Sequence, residues 1–341
     1  MSEERIAGCL FGLALGDAMG APTEFMPIDK ILANFPPAGP MTPSARVTDD
    51  TQMTLCVGQA LLDADLPYTV ASVEGPLRKH FVSWLESPEN NRGPGRTCLA
   101  ACKNLREGLP WHEATILNSK GCGANMRVAA IGLLSDGFGG MDQKQRAALA
   151  QFQAALTHGH PTALAASDLT AYAIHRLVQG IPPSTLPAVL REYAASQRRT
   201  YHHSWLGPLW SQLDWPAAED FIQAGWDDCL KVLDDLDAAL ASSDRKTDPC
   251  AATGAGWVAE EALATGLLCF LLFSDDPVAA IRRASVTSGD SDSIACLTGA
   301  FAGAYHGMAA WPSDWLVRIE YQDRLTKLAS ALGSPYLNST R

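Results

Sequence analysis

The sequence has no apolar run long enough for a membrane, no cysteine or histidine framework for zinc, and few cations. Each shortage removes a class of function. Its longest apolar stretch, Ala262 to Phe273, falls short of the ~20 residues that cross a bilayer. It ends in Ser274-Asp275-Asp276, so it reads as a buried helix and no membrane partner is expected. The run from Ile6 to Leu15 lacks the net-basic flank of a signal peptide, because Glu3 and Glu4 stand where cations belong and outweigh Arg5, and export is not expected. No CxxC or HExxH occurs, which removes the usual zinc frameworks. The 9 cysteines are an odd number and sit mostly among apolar residues, as reduced core thiols of a cytoplasmic protein do. Lys and Arg total 26 against 37 Asp and Glu, a net charge of −11. That balance offers no clustered basic surface for a phosphate backbone, so nucleic acid is not an expected partner. An anionic substrate would have to be held by metal cations or helix N-termini instead.

Linkers and strand-like alternation are also scarce. With 341 residues, 47% of them hydrophobic, and no Ser/Gly or charged spacer between two cores, the chain reads as one domain, 1–341, with a core at about 4–333 and a short tail at 334–341. Helical periodicity dominates. Ile6, Cys9, Leu10, Leu13 and Ala14 form one stripe, and Gly8, Gly12 and Gly16 a second, which costs helix propensity and predicts close backbone approach by another helix. A helix follows Asp50, with Met53, Cys56, Val57, Ala60 and Leu61 on its apolar face, and another follows Asp292, with Ile294, Leu297, Thr298, Phe301 and Tyr305. Similar patterns recur at 124–134, 144–156, 162–179 and 257–273. The expected fold class is all-α, with irregular Pro/Gly-rich loops carrying the chemistry.

Two of those loops end in acid clusters at helix starts: Thr48-Asp49-Asp50-Thr51 and Ser288-Gly289-Asp290-Ser291-Asp292-Ser293. Capping and the helix dipole account for one or two acids at such a place. They do not account for several carboxylates and hydroxyls packed before an apolar helix, where buried unpaired charge is costly and cations relieve it. Neighbouring helical residues diverge by roughly 100°, so Asp49 and Asp50 would serve different ions. Asp290 and Ser293 share a face, and Asp292 lies between them as a potential bridge. The donors are all hard oxygens, which suits Mg²⁺ or Mn²⁺ rather than Zn²⁺.

Gly16-Asp17-Ala18-Met19-Gly20-Ala21-Pro22-Thr23-Glu24, then Thr48-Asp49-Asp50-Thr51, then Gly289-Asp290-Ser291-Asp292-Ser293 resemble, in order and spacing, the ADP-ribosylglycohydrolase family, over about residues 4–310. The resemblance implies a compact orthogonal helical bundle with a binuclear metal cleft holding two divalent ions, Mg²⁺ or Mn²⁺. It places their ligands at Thr48, Asp49, Asp50, Asp290, Asp292 and Ser293, the last with a hydroxyl where the family often has threonine. Gly121-Cys122-Gly123-Ala124 followed by Met126-Arg127 looks like the arginine-specific branch.

The cleft candidates follow from loop chemistry and that resemblance together. Ser119, Gly121, Cys122 and Gly123 precede a helix and can present N–H groups to phosphate or ribose oxygens. Pro94 and Gly95 belong to Asn91-Arg92-Gly93-Pro94-Gly95-Arg96, where glycines permit close approach and the arginines could offset diphosphate charge. His158, in Thr157-His158-Gly159-His160, is a candidate ligand contact, and Trp257 a stacking surface for adenine or a guanidinium. Asp50 and Glu24 are the candidates for moving the proton of the attacking water, whereas the stretch around Glu89 supplies no secure acid. The expected reaction is hydrolysis of the N-glycosidic bond of ADP-ribosylated arginine on a protein, with O-linked ADP-ribose (serine, poly(ADP-ribose) or O-acetyl-ADP-ribose) or non-catalytic ADP-ribose binding as the alternatives. Two settings fit: reversal of a regulatory modification, and immunity to an ADP-ribosylating toxin, which would then be a partner.

Overall fold

Residues 2–334 are described in the computed structural model. The expected tail lies outside them from residue 335 on. The main helices are α1 (Glu3–Gly20), α2 (Asp49–Asp63), α3 (Val70–Leu85), α4 (Arg96–Arg106), α5 (Gln143–Ala155), α6 (Pro161–Val178), α7 (Ala218–Ser242), α8 (Ala259–Leu272), α9 (Pro277–Ala284), α10 (Ser291–His306) and α11 (Gln322–Gly333). No strand occurs among the described residues, only isolated bridges from Ile116 to His158 and from Gly121 to Val258.

The glycine row of α1 decides the centre of the molecule. A Cβ on Gly12 would lie 2.3 Å from the Gly299 carbonyl oxygen, one on Gly16 1.9 Å from that of Ala295, and one on Gly20 2.2 Å from that of Ser291. α1 and α10 therefore run antiparallel with their backbones touching at every fourth residue, a separation that side chains would forbid. Both helices are buried almost throughout, as helices apolar on all sides are.

Around this pair the remaining helices pack by their apolar stripes. α6 is flanked by α5, α7 and α8, while α8 and α9 cover α10 and α2 rests on α3. The 25-residue α7 is amphipathic, burying Phe221, Ile222, Trp226, Cys229, Leu233 and Leu236 on one face. The stretch Ala262 to Phe273 lies in and just after α8 and is largely buried. Among the described residues no helix is long and apolar enough to cross a membrane.

One expected helix is absent. Residues 124–134 break into a 3₁₀ turn at Cys122–Ala124 and a single α-turn at Ala129–Gly132. Tertiary bonds override the periodicity: Asn125 donates to the Ala259 carbonyl at 3.1 Å, and Arg127 donates to Gln153 Oε1 at 2.9 Å and to Thr157 Oγ1 at 2.7 Å. These anchors pull near neighbours in different directions, which a regular helix cannot accommodate.

Candidate functional site

Because α1 and α10 are antiparallel, the end of α1 meets the start of α10. The start of α2 is brought to the same place by one buried carboxylate. Asp17, in the last turns of α1, accepts from Thr48 N (3.0 Å to Oδ1), Thr51 N (3.1 Å to Oδ2) and Thr51 Oγ1 (2.5 Å to Oδ2). Thr48 caps α2 by accepting from Asp50 N at 3.3 Å. Asp290 caps α10 by accepting from Ser293 N at 3.3 Å, and Asp292 Oδ1 accepts from the same N–H at 3.0 Å. Gly289 lets the chain pass under the Ala255 carbonyl, which would lie 1.9 Å from a Cβ there.

The two clusters thus face one cleft of about 350 Å³, lined by Asp49, Asp50, Asp290, Asp292 and Ser293, with Glu24 beside them. Glu24, Asp290 and Asp292 each offer a carboxylate oxygen within 4.8 Å of the others. Their electrostatics are those of acids crowded without counter-charge. Burial first, then Asp290, Asp49 and Asp17, push Glu24 up to about 8, and burial followed by Asp17 pushes Asp49 up to about 8. Asp50 and Asp292 are raised well above the usual carboxylate range by burial and by their acidic neighbours. Asp50 is 2% exposed, and its Oδ2 has no hydrogen-bond partner among the described residues. A buried carboxylate oxygen left unpaired among like charges is costly, and a hard divalent cation is the species that relieves it. The donor set, carboxylates with one serine hydroxyl, fits Mg²⁺ or Mn²⁺.

The walls come from three loops. Gly93 adopts φ +80° with a would-be Cβ 3.5 Å from Glu24 Oε2, and Gly95 N donates to Asp49 Oδ2 at 3.4 Å. Opposite, the 119–123 loop pairs with the chain before α8: Cys122 N donates to the Trp257 carbonyl at 3.2 Å and Ala259 N to the Lys120 carbonyl at 2.8 Å. Cys122 Sγ donates to Asp290 Oδ2 at 2.9 Å. His158 packs beneath this loop, its ring 3.1 Å from where a Gly123 Cβ would stand. Burial and Arg127 hold His158 well below its ordinary pKa, so the imidazole is neutral. At the mouth, Phe25 (72% exposed) stacks on Trp257 (40% exposed) with centroids 5.2 Å apart.

Pro94, Gly95, Gly121, Cys122, Gly123, His158, Trp257 and Glu24 all line this cleft with the two acid clusters. Thr48 and Ser119 are not among the lining residues; Ser119 Oγ bonds Thr97 Oγ1 at 2.8 Å. Of the two loop arginines expected near diphosphate, Arg92 is spent on Glu320 (2.5 and 3.0 Å) and the Val47 carbonyl. Arg96 lines the cleft. Glu89 is away from it, bonded to Tyr321 OH, and His160 caps α6 by accepting from Thr162 N. Arg127 is wholly buried behind the cleft, over the Phe81 ring at 4.4 Å. The cleft is also lined by Phe25, Thr97, Cys98 and Met126, none of them a sequence candidate for the site, and Asp17 supports it from behind. Asp17 had a signal, a lone acid inside an apolar helix, whereas Phe25 had none.

Comparisons with known proteins agree with this architecture. The ADP-ribosylglycohydrolase family profile matches residues 1–339. The chain is 26% identical to "ADP-ribosylarginine hydrolase Tri1" of Serratia proteamaculans (strain 568), over 97% of this chain and 79% of that one. It is 26% identical to "ADP-ribosylhydrolase ARH3" of Mus musculus, over 99% and 94%. Among solved structures, an "ADP-ribosylglycohydrolase-related protein complex" superposes with a TM-score of 0.69 at 23% identity, covering 97% of both chains, and so shares the fold. With the family profile running the length of the chain and the same helical architecture around the acid cleft, the protein belongs to the ADP-ribosylglycohydrolase family.

Proposed function

We propose that the protein, acting as one domain in the cytoplasm, removes ADP-ribose from modified arginine side chains of proteins by hydrolysing the N-glycosidic bond. The observation that carries this reading is the convergence of Asp49, Asp50, Asp290 and Asp292, from the N-termini of two helices, on one cleft with Glu24 and an unpaired Asp50 oxygen. Those carboxylates with Ser293, and Thr48 at the α2 cap, are the residues that would hold two divalent ions, Mg²⁺ or Mn²⁺. When bound, such ions supply Lewis-acid polarisation and orientation of ribose hydroxyls.

The chain's own groups do the rest. Pro94 and Gly95 on one side and Gly121 to Gly123 on the other bracket the sugar and diphosphate, with Arg96 as the lining cation. Trp257 with Phe25 offers a flat apolar face at the mouth for adenine or the guanidinium. As water attacks C1 of the proximal ribose, Glu24 or Asp50 accepts its proton; both are held protonated near neutral pH in the empty cleft and would act as bases once divalent ions neutralised the cluster. The C1–N bond breaks with its electron pair leaving on nitrogen, so the cationic guanidinium departs as a neutral guanidine and takes up that proton afterwards. The acidic surroundings suit the binding of a cationic guanidinium group, and the name of the Serratia relative supports the arginine linkage. The mouse relative matches equally well under a name that specifies no linkage, and cleavage of O-linked ADP-ribose is the second reading. In the O-linked case the serine side chain departs as an alkoxide that needs a proton donor, and Glu89 does not stand at the cleft to be one.

The test is turnover of ADP-ribosylated arginine, ADP-ribosylated serine peptide and poly(ADP-ribose) under one set of metal and pH conditions. The expected result is kcat/KM at least ~10-fold higher for arginine, about 1.4 kcal/mol of transition-state stabilisation. Equal values or a serine preference move the protein to the second reading, and no turnover of any of the three refutes hydrolysis.

A further inference from the structure

Two cysteines line the cleft, and they differ in what their sulfurs face. Cys98 Sγ is bonded to a cation and a carbonyl, 3.7 Å from Arg127 Nη1 and 4.0 Å from the Gly123 carbonyl oxygen. Cys122 Sγ points into the acid cluster, 2.9 Å from Asp290 Oδ2 and 3.5 Å from Ser293 Oγ. It is a soft donor in a set otherwise made of hard oxygens. We propose that Cys122 Sγ is itself a metal ligand, sharing one ion with Asp290, so that the cleft takes up thiophilic divalent cations, zinc or cadmium, in competition with Mg²⁺ or Mn²⁺. The inference rests on the metal-centre reading above and adds a ligand to it.

Geometry supports the assignment. Sulfur and oxygen bound side by side to one ion, at about 2.3 and 2.1 Å, lie roughly 3.1–3.6 Å apart for angles between right and tetrahedral. The observed 2.9 Å is within a few tenths of an ångström of that span, so little movement is required. The sulfur's place is also fixed from behind. The Cys122 N–H is bonded to the Trp257 carbonyl, and the preceding Lys120 is ion-paired to Asp228 and Glu260. An independent feature of the same cleft asks for a cation: Asp50 Oδ2, buried and without a partner among the described residues. On binding, a sulfur–metal bond forms and the thiol proton, shared with Asp290 in the metal-free protein, passes to solvent. A thiolate prefers softer ions, so zinc and cadmium gain on this corner while Mg²⁺ does not.

The experiment loads the full-length protein with one equivalent of Cd²⁺ and reads the sulfur-to-cadmium charge-transfer absorption and the X-ray absorption of the ion, with calorimetric Mn²⁺ titration as the reference. Expected are a charge-transfer band, sulfur in the cadmium shell, and displacement of both by excess Mn²⁺. Cys122→Ser should lose the band and weaken Cd²⁺ binding at least ~10-fold, about 1.4 kcal/mol, while Cys98→Ser keeps both. Cadmium bound with only oxygen or nitrogen neighbours overturns the assignment without any variant having to fold. A band of undiminished strength in Cys122→Ser overturns it too. If wild-type protein binds Mn²⁺ but shows no sulfur–cadmium bond, this inference alone fails; if it binds neither ion, the metal centre fails with it.

Discussion

Replacing Gly16 by alanine sets two well-known effects against each other at a point that controls the cleft. On helix propensity alone the change favours folding by up to ~1 kcal/mol. The new Cβ, however, would stand 1.9 Å from the Ala295 carbonyl oxygen, 2.5 Å from its carbon and 3.0 Å from Cys296 N. Relieving that overlap requires α1 and α10 to separate by more than an ångström, because the obstacle is backbone and has no rotamer to change. Overpacking of this kind costs about 1–3 kcal/mol where side chains can yield and belongs at or beyond the upper end here. The expected net loss is therefore at least ~2 kcal/mol, a fall in Tm of about 4 °C or more for a chain of this size. The same separation moves Asp17, and with it the Asp49–Asp50 turn, away from Asp290 and Asp292, so Mn²⁺ affinity should fall as well. Gly58→Ala is the comparison. Its Cβ would lie 2.4 Å from Leu328 Cδ2, the end of a flexible side chain, and the change should stay within about 1 kcal/mol of wild type. Calorimetric melting of metal-free protein and Mn²⁺ titration measure both variants. A Gly16→Ala protein that melts at or above wild type, or no lower than Gly58→Ala, would refute the reasoning.

Other expectations follow from the same structure. Asp49→Ala, Asp50→Ala, Asp290→Ala and Asp292→Ala should each remove Mn²⁺ binding and turnover while the far-ultraviolet helical signal persists, with Asp290→Ala costing a further ~1 kcal/mol for its lost cap; normal turnover in any of them counts against the ligand set. Trp257→Ala should raise KM for ADP-ribosylated substrate about 3- to 10-fold, the worth of one aromatic stack, and an unchanged KM would place that substrate elsewhere. Asp168 lies far from this chemistry, buried between Gln151 Nε2 (2.9 Å) and Tyr193 OH (2.8 Å), and burial pushes it up to about 7. Because its folded-state pKa is raised, its stabilising contribution is full below about pH 4 and is lost as pH rises through about 7. Asp168→Asn should remove that loss, on the order of 4 kcal/mol; urea midpoints of variant and wild type that run parallel from pH 4 to 8 would contradict it.

Much of this protein was legible before folding. Period-3.6 stripes marked α2, α5, α6, α8 and α10 because each buries one face or all of its surface. The spacing of Gly8, Gly12 and Gly16 announced a helix contact because only glycine admits a backbone at that distance. The acid clusters declared themselves by standing at helix starts in numbers that capping does not need. What stayed hidden depends on which distant residues share a space. Residues 124–134 carry helical periodicity, yet Asn125 and Arg127 are drawn to partners on α8, α5 and the turn after it, and the helix breaks. Arg92 and Arg96 look alike in one loop, but Glu320, more than two hundred residues away, takes one and leaves the other at the cleft. Asp17 reads as a motif letter until Thr48 and Thr51 are found on its oxygens. Phe25 carries no signal because its stack on Trp257 exists only once the end of α1 and the loop before α8 are neighbours. Local pattern reports what a residue must bury or cap, whereas pairing across the chain is settled by the packing of α1 on α10, which brings the three acid-bearing segments to one end of the fold.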